Sequence, residues 1–115
     1  MSTAKIYKIE SLSTPNIYIG TTTKTYLSER FTYYRREYNK YLQAKQNEND
    51  YSRYVKTKVD FGNEAIIELF KLFDLYGLKS FKIILLQQIL HTSPDDLKSQ
   101  LYEFIKKVDC INKKV

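Results

Sequence analysis

The hydrophobic pattern changes its period near residue 26, and this change constrains the fold more than any other feature of the chain. Residues 5–10 alternate apolar and polar side chains, and a β-branched run follows at residues 17–20; both are typical of strands. Pro15 and Asn16 lie between them and favour a turn. The sequence therefore predicts an antiparallel β-hairpin in the first twenty residues.

Residues 26–45 follow a helical period instead. Large side chains recur at alternating steps of four and three, at Leu27, Phe31, Tyr34, Tyr38, Tyr41 and Lys45. This spacing predicts an amphipathic helix. We expect Tyr34 and Tyr38 to lie in the core with their hydroxyl groups reaching towards the surface. Residues 46–50 are polar and predict a loop.

The second half of the chain predicts two more helices and a strand. Residues 63–76 form a helical stretch that ends at Gly77. Residues 81–86 are apolar enough to predict a central strand covered on both faces. Ser93 is a predicted N-cap, and the last helix runs from there to about Val108. The order ββ-α-α-β-α predicts one α/β sandwich domain over the whole chain, with a three-stranded antiparallel sheet flanked by helices.

Length and composition restrict the class of protein. A chain of 115 residues suits one domain. It has no run of about eighteen apolar residues and no hydrophobic leader, which predicts a soluble protein without a membrane partner. The lone cysteine, Cys110, predicts a small buried side chain in a reducing compartment, the cytoplasm or nucleus. We expect His91 to be a surface residue rather than a metal ligand.

Basic residues are concentrated in the middle of the chain. The total net charge is +6, and between Lys24 and Lys58 nine basic residues face four acidic ones, a local net charge of +5. Such a segment is typical of polyanion binding. Charge alone equally allows a solvated helix face. The candidate nucleic-acid-binding residues are Lys24, Arg35, Arg36, Lys40, Arg53, Lys56 and Lys58.

Several short motifs occur in a particular order. The hairpin carries KIY at residues 5–7 and YIGTTT at 18–23, and Arg30 follows ten residues after Gly20 within LSERF. Further along are YGLKSFKI at 76–83 and CINK at 110–113. Together these motifs resemble the GIY-YIG nuclease family over essentially the whole chain. Lys5 stands where the first motif of that family has its glycine.

The resemblance implies a DNA endonuclease that uses Mg²⁺ or Mn²⁺. By position it implies Tyr7 and Tyr18 as the catalytic tyrosine pair and Arg30 as the phosphate clamp. A phenol with a pKa of about 10 is a poor base unless a cation lowers that pKa. Lys8 and Lys24 are the candidate cations. Tyr34, at a position where many relatives have histidine, and Asn112, in the last motif, are candidate supporting residues.

The metal-binding glutamate of the family is missing from its usual position. That position, four residues before Ile105, is occupied by Leu101, which offers no oxygen to Mg²⁺. Glu103 is the candidate replacement, although it lies about 200° further around a helix. Other candidate carboxylates are Glu29, Asp95 and Asp96. Two functions therefore stay open: a nuclease with a relocated ligand, or an inactive binding module for nucleic acid or an acidic protein.

Overall fold

The computed structural model describes residues 3–90, 93–108 and 110–114. Three strands and four α-helices run along this part of the chain: β1 (Thr3–Ser11), β2 (Thr14–Thr22), α1 (Leu27–Ala44), α2 (Glu48–Asp60), α3 (Glu64–Tyr76), β3 (Phe81–Leu90) and α4 (Pro94–Lys107). Short 3-10 turns occupy Leu78–Ser80 and Ile111–Lys114. His91 lies outside the described residues.

The strands form one antiparallel sheet in the order β2-β1-β3. This order confirms the predicted hairpin and the three-stranded antiparallel sheet. The prediction that the third strand is central was wrong, because β1 takes that place and β3 is an edge strand whose Leu85 and Leu90 are exposed. An apolar run indicates a strand but does not specify how many neighbours the strand pairs with.

Helices pack on both faces of the sheet, as predicted for an α/β sandwich. Successive strand residues point to opposite faces, so neighbouring residues of β1 enter different cores. Tyr7 and Ile9 contribute to the larger core with α1 and α3, and Ile6 contributes to a smaller core that α4 covers. Cys110 is buried in the smaller core, which confirms its predicted role as a small hydrophobic side chain.

Helix α1 presents the predicted stripe to the larger core. Its buried residues include Phe31, Tyr34, Tyr38 and Tyr41. The Tyr38 hydroxyl donates a hydrogen bond of 2.6 Å to the Asp74 carboxylate. This confirms that Tyr34 and Tyr38 are core residues, and that the hydroxyl of Tyr38 reaches a polar partner at the edge of the core. The prediction that the Tyr34 hydroxyl reaches the surface was wrong, because it is buried in a hydrogen bond with the Tyr7 hydroxyl.

Helix α2 replaces most of the loop predicted at residues 46–50, so that prediction was wrong. The predicted order ββ-α-α-β-α lacks this helix, and the observed order is ββ-α-α-α-β-α. Asn47 is its N-cap, and the side-chain oxygen accepts hydrogen bonds from the backbone N–H groups of Asn49 and Asp50. Acidic residues in the first turn complement the helix dipole. None of the α2 side chains is fully buried, and the apolar signal of the helix is correspondingly weak.

The last two helices have the predicted boundaries. α3 ends before Gly77, whose φ of 86° is unfavourable for any other residue. The Ser93 side chain accepts a hydrogen bond from the backbone N–H of Asp96 at the start of α4. In the described part of the chain, no helix combines the length and the apolar character needed to cross a membrane.

Candidate active site

The hairpin brings Tyr7 and Gly20 together. The two residues are cross-strand partners in β1 and β2, and the Tyr7 ring lies over the glycine with its side chain fully buried. A Cβ atom added to Gly20 would lie 2.6 Å from Cζ of Tyr7, well inside van der Waals contact. The glycine of the YIG motif therefore has a steric role: it leaves room for the tyrosine of the neighbouring strand.

Helix α1 adds Arg30 and Tyr34 to the same place. The Nε–H of Arg30 donates a hydrogen bond of 3.2 Å to the Tyr7 hydroxyl, which is also hydrogen-bonded to the Tyr34 hydroxyl. The Tyr18 ring packs edge-to-face against Tyr34, with ring centroids 5.7 Å apart. The structure thus joins four of the predicted site residues in one group, here called the tyrosine–arginine cluster: Tyr7, Tyr18, Arg30 and Tyr34.

Tyr33 is a member of the site that the sequence interpretation missed. The Arg30 guanidinium carbon lies 4.2 Å from the centroid of the Tyr33 ring and 5.1 Å from that of Tyr34. Both distances are in the range of cation–π attraction. The signal was the spacing, since residues three and four apart on a helix are neighbours. The guanidinium is therefore held by the Tyr7 hydroxyl and by the aromatic faces of Tyr33 and Tyr34.

No carboxylate compensates the charge of Arg30 in the described part of the chain, where every ion pair within 4.0 Å involves other residues. A guanidinium stays protonated under all ordinary conditions and offers five N–H donors. One of these is used by Tyr7. The remaining donors and the positive charge are available to an anion.

The three phenols of the cluster are neutral at neutral pH. Burial raises the pKa of Tyr7, although hydrogen bonds with Tyr34 and Arg30 act in the opposite direction. Burial raises the pKa of Tyr18 to about 12, and it raises the pKa of Tyr34 well above its ordinary value. Neutral phenols act as hydrogen-bond donors and are weak proton acceptors.

The two lysines proposed to activate a tyrosine lie elsewhere. The Lys8 ammonium forms an ion pair of 3.1 Å with Glu10, on the sheet face opposite Tyr7. Lys24 is exposed, and its backbone carbonyl accepts a hydrogen bond from the Lys5 ammonium. Arg30 is the cation that the structure places against Tyr7.

A cavity of about 400 Å³ opens beside the cluster. Its described lining comprises residues of β2, α1, the α2–α3 link, the start of α3, α4 and the last 3-10 turn: Tyr18, Ile19, Gly20, Thr21, Arg30, Tyr34, Gly62, Asn63, Glu64, Ala65, Leu101, Ile105 and Asn112. Leu101, the position at which the resemblance implies a carboxylate, is thus on the cavity wall. The cavity is lined by Arg30, by two of the predicted site tyrosines and by Leu101.

The candidate metal ligand Glu103 is not brought to this cavity. It lines a separate pocket with Gln87 and Lys107, and its carboxylate lies 3.9 Å from the Lys106 ammonium. The other predicted carboxylates, Glu29, Asp95 and Asp96, are exposed and do not line the cavity either. The 200° offset between Glu103 and Leu101 on the helix accounts for this placement.

The described lining of the cavity offers a divalent cation few oxygen ligands from the protein. Mg²⁺ commonly keeps several waters and binds through one or two carboxylates together with substrate phosphates. Among the described lining residues Glu64 supplies a carboxylate, and Asn63 and Thr21 are polar neighbours. No group of three or more His, Cys, Asp or Glu side chains able to hold a metal occurs in the described ranges.

Asn112 contributes to the site through the backbone of β2. Its side-chain oxygen accepts a hydrogen bond of 2.8 Å from the Ile19 N–H, and its side-chain N–H donates one of 2.9 Å to the Ile19 carbonyl. The amide therefore mimics a neighbouring strand on the free edge of β2, between Tyr18 and Gly20. Its supporting role is to hold these two residues in position.

The predicted nucleic-acid-binding residues fall into two groups. Lys40 and Lys58 both bind the Glu37 carboxylate at 3.0 Å, and Arg53 lies 4.0 Å from Asp50. The other four are exposed and have no carboxylate within 4.0 Å in the described ranges: Lys24, Arg35, Arg36 and Lys56. The basic segment is therefore partly neutralised from within.

Comparisons with other proteins add no identification. No family model, no curated protein and no solved structure matches this chain. The geometry of the cavity and of the tyrosine–arginine cluster is consequently the basis for any statement about function.

Proposed function

We propose that this chain is a GIY-YIG-type domain that binds DNA and hydrolyses its phosphodiester bonds. The observation that carries the proposal is Arg30, a guanidinium that lines the cavity and has no carboxylate partner in the described ranges. Such a group grips a phosphate through parallel hydrogen bonds. The resemblance in motif order and the exposed basic residues of α1 and α2 support DNA as the polyanion.

Each member of the tyrosine–arginine cluster has a distinct task in this proposal. Arg30 holds the phosphate. The hydroxyl of the fully buried Tyr7 accepts a hydrogen bond from the Nε–H of Arg30 and so fixes the direction of the guanidinium. Tyr18 and Tyr34 line the cavity as neutral phenols and can donate hydrogen bonds to phosphate oxygens or to the attacking water. Tyr7 is thus a positioning residue rather than a proton acceptor.

A divalent cation, when bound, polarises a phosphoryl oxygen and lowers the pKa of a bound water. Leu101 offers no ligand for it, so the cation would be held by the other oxygen donors of the cavity wall. Of the described lining residues, Glu64 is the acidic one. This chain's own contribution to the reaction is the clamp, the phenol donors and an apolar wall formed by Leu101 and Ile105.

The second candidate function is a binding module without turnover. The observation that favours it is Leu101 on the cavity wall, combined with phenols that remain protonated at neutral pH. In this alternative Arg30 holds a phosphate of the backbone and no bond is broken.

The two functions separate in an assay of plasmid nicking and DNA gel shift with Mg²⁺ or Mn²⁺. We expect Arg30→Ala to lower nicking by about a hundredfold or more, because it removes the main stabiliser of phosphate charge. Arg30→Lys should rescue it only in part, since an ammonium lacks the planar fork. Lys98→Ala is the control, an exposed basic residue of α4 that does not line the cavity and is not among the predicted nucleic-acid-binding residues.

Nicking that persists at the wild-type rate in Arg30→Ala would exclude this site as the nuclease centre. A wild-type protein that shifts DNA without nicking it, and loses the shift in Arg30→Ala, would establish the binding module. A protein that neither nicks nor shifts DNA would overturn both candidates.

A further inference from the structure

We propose that Glu64 is the carboxylate that holds the divalent cation in this chain. It takes the role of the glutamate that the resemblance implies at the position of Leu101. The inference rests on the proposed function and names a ligand that sequence position does not indicate. Glu64 is the first residue of α3, far along the chain from Leu101, yet both line the cavity beside Arg30.

The first argument is the pairing of charges. Glu64 forms no ion pair within 4.0 Å in the described ranges, and neither does Arg30. A carboxylate and a guanidinium therefore line one cavity of about 400 Å³ without neutralising each other. That arrangement is complementary to a ligand that has both an anionic and a cationic part, such as a phosphate with a divalent cation.

The second argument is the repulsion between the Glu64 carboxylate and a phosphate bound to Arg30 when no cation is present. A phosphate gripped by Arg30 brings negative charge into the cavity that Glu64 also lines, which disfavours binding. A hard divalent cation between them reverses the sign of the interaction, since it accepts oxygen ligands from both the carboxylate and the phosphate. Glu64 thus weakens phosphate binding without the cation and strengthens it with the cation.

An acidic residue in the first turn of a helix also stabilises the helix dipole, which is a purely structural role for Glu64. Glu48 has that position in α2 and Asp95 has it in α4. Neither of these lines the cavity with Arg30, whereas Glu64 does. The dipole accounts for an acid at this helix start but not for its place on the wall of the cavity that Arg30 also lines.

The test compares wild type, Glu64→Gln and the control Glu103→Gln by two readouts other than cleavage. The first is binding of a short DNA duplex in EDTA and in Ca²⁺. In EDTA, Glu64→Gln should bind about threefold more tightly, the weight of one nearby like charge in a water-exposed site. Ca²⁺ should tighten binding by the wild type and by Glu103→Gln but not by Glu64→Gln.

The second readout is the electron paramagnetic resonance signal of free Mn²⁺ during titration with each protein, with and without the duplex. Wild type and Glu103→Gln should remove the signal at protein concentrations where Glu64→Gln leaves it, by about a tenfold difference in apparent affinity. Because Glu64 is exposed, the Glu64→Gln substitution should leave the fold intact, and circular dichroism checks this.

This inference would be overturned if Glu64→Gln kept both the Ca²⁺ response and the Mn²⁺ uptake. If both were lost in Glu103→Gln instead, Glu103 on α4 would be the metal ligand. Either result leaves the proposed function standing if DNA binding still depends on Arg30. If no variant binds DNA, the proposed function fails, and Glu64-independent Mn²⁺ uptake would then reject the ligand as well.

Discussion

Two cations of this molecule, Arg30 and Lys58, differ in what surrounds them. Both are partly shielded from solvent, and both lie on or against α1. Arg30 contacts phenol hydroxyls and ring faces, whereas Lys58 binds the Glu37 carboxylate at 3.0 Å. The first charge is held in place without being neutralised, and the second is neutralised by a buried acid. A positive charge is available to an anion only where the fold positions it with neutral groups.

The same contrast divides the basic residues of the segment 24–58 into two groups. Glu37 is buried to 8% exposure and binds both Lys40 and Lys58, so three charges form one network between α1 and α2, here called the Glu37 cluster. The net charge of +5 over residues 24–58 counts all of these side chains alike. In the proposed function, the polyanion is therefore contacted by Arg30 and by basic residues outside the Glu37 cluster.

The largest effect is expected from Gly20→Ala, which tests whether the tyrosine–arginine cluster depends on close packing. The new methyl group collides with the buried Tyr7 ring, and we expect a loss of about 2–3 kcal/mol in the free energy of unfolding. Tyr7 would also shift away from Arg30, so DNA binding should fall in the fraction that remains folded. Urea denaturation and a gel shift measure the two effects.

Gly62→Ala is the matched control for that substitution. Gly62 has a φ of 71° but no atom within 4 Å of an added Cβ, so the cost is limited to about 1 kcal/mol of backbone strain. Equal losses in the two variants would show that Tyr7 yields easily and that the cluster is not rigid.

A second prediction concerns Glu37→Ala. Removal of the carboxylate leaves Lys58, whose side chain is only 18% exposed, without its partner, and we expect a loss of about 1–2 kcal/mol in the free energy of unfolding. The two freed lysines should at the same time raise DNA affinity at low salt severalfold. Glu29→Ala, on the exposed face of the same helix, should change stability by less than about 0.5 kcal/mol. A lower DNA affinity in Glu37→Ala would mean that the Glu37 cluster itself binds DNA.

The pH dependence of stability gives a third and smaller effect. Burial by itself would raise the pKa of Glu37, but hydrogen bonds and charge from Lys58 and Lys40 outweigh it and hold that pKa below its ordinary value of 4.5. A lowered folded-state pKa contributes stability that is present above pH 4.5 and is lost as the pH falls through the folded value. Thermal unfolding from about pH 6 to about pH 3 should therefore show a shallower acid loss in Glu37→Gln than in the wild type. Identical slopes would assign the acid loss to other carboxylates.

Sequence predicted the strands of the hairpin, the stripe of α1 and the boundaries of α3 and α4, because each has a strong period or a capping residue. Helix α2 was not predicted because its sequence signals were a cap at Asn47 and acids in the first turn, without a fully buried side chain. The central position of β1 was not predicted because pairing partners are a property of the whole sheet. In both cases the missing information was tertiary.

The same division applies to the site. Tyr7, Tyr18, Arg30 and Tyr34 could be selected through the resemblance to the GIY-YIG motifs, and the two strands and one helix that carry them are local features. Glu64 could not, because it reaches the cavity only through the contacts of α3 with β2 and with the 3-10 turn at Ile111–Lys114. Glu103 was a natural candidate by sequence distance, and the helix turn removes it from the cavity.

The smallest effect separates the free basic residues from the paired ones by salt dependence. Each cation that contacts a phosphate adds about one unit to the slope of log affinity against log salt. Arg36→Gln removes an exposed arginine with no carboxylate within 4.0 Å in the described ranges, and we expect the slope to fall by up to about one unit if it contacts DNA. Lys40→Gln removes a charge that is already bound to Glu37, and the Glu37 carboxylate is still held by Lys58. The slope should therefore change by less than half as much as in Arg36→Gln. Fluorescence anisotropy between low and physiological salt measures both slopes. A larger change of slope for Lys40→Gln than for Arg36→Gln would show that DNA displaces the Lys40–Glu37 contact. The Glu37 cluster would then be part of the binding surface.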